Sequence, residues 1–126
     1  MTTRSDVELR VPADTAYVAV LRTTTAGLAA RLDFTLDDIE DLRIAVGEAC
    51  AMVLEQARED GDLHATFDLG SGELSVTVSA DADAASEPDT NGFAWQVLTA
   101  LTTRASAKVT PEAVGITLSM KSALLD

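Results

Sequence analysis

Cysteine, basic side chains and long apolar runs are all scarce in this chain. Of its 126 residues one is cysteine, so no internal disulfide can form, and no His or Cys companion stands at metal-ligand spacing from Cys50. Cys50 falls within an apolar helical pattern and reads as a small buried hydrophobe rather than as a nucleophile or redox sensor. Nine Lys and Arg face 21 Asp and Glu, a formal net charge of −12. Such a chain is repelled by phosphate backbones, which argues against direct nucleic-acid or anionic-membrane binding. A basic protein partner is electrostatically favoured instead. No apolar run is longer than that of Ala16 to Leu21, far short of the roughly 20 residues a membrane span needs. The opening MTTRSDVELR lacks the apolar core of a signal peptide, so a cytoplasmic location is expected. There is no internal repeat and no low-complexity tract.

What is present is enough for one ordinary core. Hydrophobic residues make up 47% and charged residues 24%, which fits a globular chain, and residues 1–126 are read as one domain. Val7, Leu9 and Val11 alternate with Glu8 and Arg10 as a half-buried strand that Pro12 ends. Asp14 or Thr15 can cap a helix carrying Ala16, Val20, Leu21 and Leu28 and running to about Leu32. Thr35 and Asp38 resemble a capping box. The helix they open carries a broad stripe through Ile39, Leu42, Val46, Ala49, Cys50, Val53, Leu54 and Ala57, with Gly61 as its stop.

Leu63–Leu69 and Glu73–Ser79 flank Gly70-Ser71-Gly72 and predict a hairpin. Ala80 to Asn91 holds four acids and a proline and reads as a mobile acidic loop. Gly92 opens a third helix with Trp95, Val97, Leu98 and Leu101, where Trp95 is expected in the core. Val114, Ile116 and Leu118 mark a last strand, while Ala107 to Val109 reads equally as a strand extension or a turn. The order predicts an α+β two-layer sandwich, with a mixed, mainly antiparallel sheet of about four strands covered by three helices.

Glu48 is the residue on the second helix that asks for chemistry. It adjoins the apolar stripe, with Ala45 and Met52 one turn away on its own face. A carboxylate in that position must be hydrated, paired or functional. Lone His64, at a strand start, suggests no chemistry.

The stretch from Leu32 to Ala57, with Glu48-Ala49 at its centre, resembles the N-box helix of the bacterial anti-sigma factor and serine-protein kinase family. That family belongs to the GHKL group, with a histidine-kinase-like ATPase fold, and its helix reads E-A-x-x-N. The opening Glu8 to Val11 with Pro12-Ala13, the pair Leu21-Arg22, and the closing Gly115-Ile116-Thr117-Leu118 fit the same family. Asn91 to Leu98 looks like the C-terminal helix of its high-GC Gram-positive branch.

The resemblance implies an anti-sigma factor that sequesters a stress- or sporulation-type sigma factor and is released by a STAS-type anti-anti-sigma partner. It implies a homodimer, and a partner contact at Arg22. The acids Asp37, Asp38 and Asp41 form a second candidate partner surface, although dipole stabilisation at the helix start together with solubility is the plainer account of them.

The chain also departs from the family. Met52 occupies the asparagine position, and a thioether is a poor ligand for magnesium, which wants hard oxygens. The D-x-G-x-G motif is reduced to Asp81 and Asp83 without its glycines, and alanine adopts positive φ only at a cost. The resemblance therefore implies a vestigial ATP site at Glu48, Met52, Asp81 and Asp83, with Glu48 either a relic or a base. ATP and magnesium are disfavoured, and no cofactor is required. Two alternatives stay open: an ATP-dependent serine kinase acting on the STAS partner, and a regulatory module with a repurposed pocket.

Overall fold

The computed structural model describes residues 5–122. Strand β1 (Val7–Pro12) leads through a short 3-10 turn to α1 (Val18–Arg31) and α2 (Leu36–Leu54). Strands β2 (Asp62–Gly70) and β3 (Glu73–Asp81) follow, then α3 (Phe93–Leu101), β4 (Arg104–Thr110) and β5 (Ala113–Lys121). Each boundary has a local cause. Asp14 accepts from the Ala16 N–H at 2.9 Å and opens the 3-10 turn. At the end of α1 the N–H of Phe34 bonds the Ala29 carbonyl and that of Asp33 bonds Ala30, both at 3.1 Å. This places Asp33 at φ 62, a Schellman closure using one of the few side chains that tolerate the left-handed region. Thr35 then accepts from the Asp38 N–H at 3.1 Å to start α2.

One sheet carries all five strands in the order β1-β2-β3-β5-β4, every pair antiparallel. The β2–β3 hairpin closes on Gly70 opposite Glu73, and Gly72 takes φ 70, which a side chain would resist. Alternation sorts the sheet into two faces. Leu63, Ala65 and Phe67, Val76 and Val78, Ile116 and Leu118 point to the core. Ser75 pairs with Ser119, and Thr77 with Thr117, through hydroxyls 2.9 Å apart on the opposite face.

Helix α2 lies across the core face, burying Leu42, Ala45, Val46, Ala49, Cys50 and Val53 completely. Helices α1 and α3 pack against its flanks. The three threonines of α1 fit because Thr24 and Thr25 bond back to the carbonyls of Val20 and Leu21 at 2.8 and 2.7 Å.

The structure departs from the sequence expectation in five places. The sheet has five strands rather than about four and is wholly antiparallel rather than mixed, because Ala107–Val109 belongs to a strand of its own, β4. Helix α2 ends at Leu54, well before Gly61. Ala57 instead bridges Ala82, and the Arg58 N–H bonds the Asp81 carbonyl at 3.0 Å, so sheet-type pairing takes over the backbone there. The segment from Ala80 is held at its start rather than free, with Ala82 buried. Val20, placed on the apolar face of α1, is 42% exposed. Trp95 is half-buried against the core rather than inside it.

Candidate functional site

The face of α2 that drew attention in the sequence does meet a cavity. Met52 lines a pocket of about 220 Å3 with Gln56, Pro88, Phe93, Val114 and Ile116. Glu48 stands one turn earlier, roughly 6 Å along the axis, and is half-buried with no hydrogen bond or ion pair among the described residues. Glu55 and Asp89, both exposed, are the charged side chains of the lining.

The strap from residue 82 to 92 forms the other wall and is clasped to the end of α2. Gln56 donates Nε2 to the Ser86 carbonyl at 2.9 Å and accepts the Ser86 N–H at 2.8 Å. Arg58 holds Asp83 through Nε and a terminal nitrogen, both at 3.0 Å. Between these two clasps Ala84 sits at φ 53. An alanine there costs on the order of 1–2 kcal/mol, a strain that persists because both sides are fixed. Alanine was expected to avoid positive φ, but here the clasps impose it.

The sequence-derived site residues do not converge. Glu48 and Met52 share a face of α2. Asp83 is engaged by Arg58 on the surface. Asp81, at the end of β3, lines a different and larger cleft of about 400 Å3 with Arg10, Asp62, His64 and Ser79. That cleft's arginine is already engaged, donating Nε to His64 Nε2 at 3.0 Å and lying 3.9 Å from Asp62. We read no chemistry there.

ATP with magnesium does not fit the arrangement around Met52. Pockets for ligands of drug size run to about 300–1,000 Å3, and this one is smaller. The amide of Gln56, a neutral oxygen donor at the pocket, is spent on Ser86 at both ends. The remaining charged side chains are carboxylates that repel phosphates. No cluster of three or more His, Cys, Asp or Glu side chains placed to share an ion occurs among the described residues.

The candidate partner residues occupy the α1–α2 hairpin. Arg22 is exposed and lies across Gly47, with its Cδ 3.4 Å from where a side chain at that glycine would begin. It has no hydrogen bond or ion pair among the described residues, in a chain with 21 acids. Ile44, one turn before Gly47, is 44% exposed. Asp37, Asp38 and Asp41 lie in the first turns of α2 and are exposed or half-buried. From Gly47 to Asp41 is roughly 9 Å along the helix, so Arg22 and the acids share one hairpin but not one contact.

Beneath Arg22, burial pushes the Cys50 thiol from its ordinary 9.0 up to about 12, with Arg22 pulling slightly the other way. Cys50 is therefore an inert core residue at neutral pH. The unfolded thiol ionises near 9 and the folded one near 12, so its contribution is intact below pH 9 and is lost as pH climbs toward 12. At pH 10 the loss is on the order of 1 kcal/mol. Urea unfolding at pH 8 and pH 10 will show the wild type losing that much more than Cys50→Ala. Equal losses in the two proteins would contradict it.

Sequence reasoning missed Gln56, Ser86, Arg58 and Phe93. Gln56 and Ser86 are thirty positions apart, and nothing in local spacing announces their pairing. Phe93 is 82% exposed at the pocket mouth, which a helix start alone did not suggest.

Comparison with known proteins agrees with this architecture. Residues 11–120 match the histidine kinase-like ATPase domain family, and the chain belongs to that family. Among relatives, the serine-protein kinase RsbW of Bacillus velezensis is 39% identical over 80 residues, covering 61% of this chain and 50% of its own. The protein of the same name from Bacillus thuringiensis is 41% identical over 75 residues, covering 58% of this chain and 47% of its own. The chain thus spans about half the length of the curated relatives it matches. These Bacillus proteins lend nothing to the narrower high-GC assignment. Among the described residues no helix is long and apolar enough to cross a membrane.

Proposed function

We propose that this chain is an anti-sigma factor that holds a stress- or sporulation-type sigma factor through the α1–α2 hairpin around Arg22, without nucleotide, and is released by a STAS-type partner. The observation that carries this reading is Arg22: an arginine laid over a glycine, exposed, and without a pair among the described residues of an acidic chain. Its planar fork is suited to a carboxylate on another protein, and exposed Ile44 beside it supplies apolar area. The net charge of −12 complements the basic surfaces with which sigma factors meet DNA. The pocket at Met52 supports independence from ATP, because its volume and the acids in its lining do not suit a triphosphate.

We read residues 1–126 as one domain acting in the cytoplasm as a homodimer, which sedimentation will test. Gel filtration with the sigma factors of the same genome is expected to give co-elution that ATP and magnesium leave unchanged, with no ATP heat in calorimetry. Absence of any co-eluting sigma factor sinks the proposal.

A second reading, a serine kinase acting on the STAS partner, is favoured by one observation and by kinship. Glu48 keeps a free carboxylate one turn from the pocket, and the relatives are named serine-protein kinases. Transfer of labelled phosphate to a STAS protein, abolished by Glu48→Ala, would establish it in place of the first.

A further inference from the structure

We propose that the pocket at Met52 binds a compact organic cation with an apolar body, such as a small arylalkylamine. Six of its ten lining residues are apolar: Met52, Pro88, Phe93, Ala94, Val114 and Ile116. Its volume of about 220 Å3 is below the range of about 300–1,000 Å3 for drug-sized ligands, so a compact occupant suits it better than a nucleotide. Both charged residues in the lining, Glu55 and Asp89, are acidic.

Three features favour a cation over an anion or a neutral body of the same shape. The two carboxylates are in the lining and solvent-exposed, so an ammonium group paired with them stays hydrated. Phe93, exposed and in the same lining, adds an aromatic ring, a group that attracts cations. The polar group that could have bonded a neutral ligand, the Gln56 amide, is held by Ser86. Asp89 is itself positioned, because its Oδ1 accepts the Asn91 N–H at 3.0 Å.

This inference rests on reading the pocket as closed to nucleotides. It is otherwise independent of partner binding, since it concerns the free protein. The test uses the full chain labelled with 13C at the methionine methyls, at low ionic strength where exposed charges are least screened. Met52 reports on the pocket. Met120 serves as control, about 13 Å along β5 from Ile116 and buried.

Titration with phenethylamine is expected to move the Met52 signal saturably and leave Met120 still. Phenylacetate, of matched shape and opposite charge, is expected to bind about tenfold more weakly or worse. The double variant Glu55→Gln, Asp89→Asn, which keeps an oxygen for Asn91 and changes only exposed positions, is expected to close most of that gap. Equal affinity for amine and carboxylate overturns the proposal, as does an unmoved Met52 at the highest soluble amine concentration. A Met52 shift with ATP and magnesium overturns both this and the nucleotide-independent reading. Failure of the amines alone leaves the sigma-factor reading standing.

Discussion

Arg22→Glu is expected to weaken the complex with the sigma factor by about a hundredfold or more while leaving the urea midpoint of the free protein nearly unchanged. Truncating an arginine hot spot costs about 2 kcal/mol or more. Reversing the charge adds a repulsion of about 1 kcal/mol against the carboxylate it formerly met, even in water-like surroundings. Together these reach two decades at about 1.4 kcal/mol each. The side chain is exposed and makes no internal pair among the described residues, so the fold loses little. Arg22→Lys should fall between, since the ammonium keeps the charge but loses the two-pronged geometry. The effect should appear mainly in the dissociation rate, measured by surface plasmon resonance with the sigma factor immobilised. Wild-type affinity in the Glu variant would move the contact elsewhere. Asp37→Asn with Asp41→Asn then tests the other end of the hairpin.

What the sequence made legible follows the strength of each residue's side-chain signal. Helix α2 could be read because its buried positions are large or apolar at three- and four-residue steps for five turns, and Thr35 marks its start. The β2–β3 hairpin could be read because Gly72 is needed where φ is 70. Strand β4 could not, because its core-facing positions are Ala105, Ala107 and Val109, two of them too small to show a period of two. Its strand character comes from pairing with β5, where Ile116 and Leu118 supply the bulk.

The site divides the same way. That Glu48 and Met52 share a face is local arithmetic along one helix. The clasp of Gln56 on Ser86, the pairing of Arg58 with Asp83, and the strained Ala84 between them depend on the chain closing on itself across 25 to 30 positions. Spacing along a helix carries no trace of such closure.

Phe67→Ala is expected to remove about 3–5 kcal/mol of stability, the usual cost of truncating a fully buried phenylalanine. Phe67 sits in the middle of β2, opposite Val7 on one side and Val76 on the other, and it is the largest side chain with no exposure. Val76 beside it, and Leu118 and Val53 in the same core cluster, are equally enclosed, so the void cannot collapse without moving the surrounding elements. Domains are typically stable by about 5–15 kcal/mol, so this one change can leave a large unfolded fraction at physiological temperature. Thr66 is the internal control. It precedes Phe67 but points to the open face, opposite Thr77, and its hydroxyl has no hydrogen-bond partner among the described residues. Thr66→Ala should therefore stay within about 0.5 kcal/mol of the wild type. Urea midpoints for the two variants measure the contrast. A loss below about 1 kcal/mol at Phe67, or similar losses at both positions, would mean that the core face of the sheet has been assigned to the wrong side, and with it the placement of α2, Arg22 and the Met52 pocket.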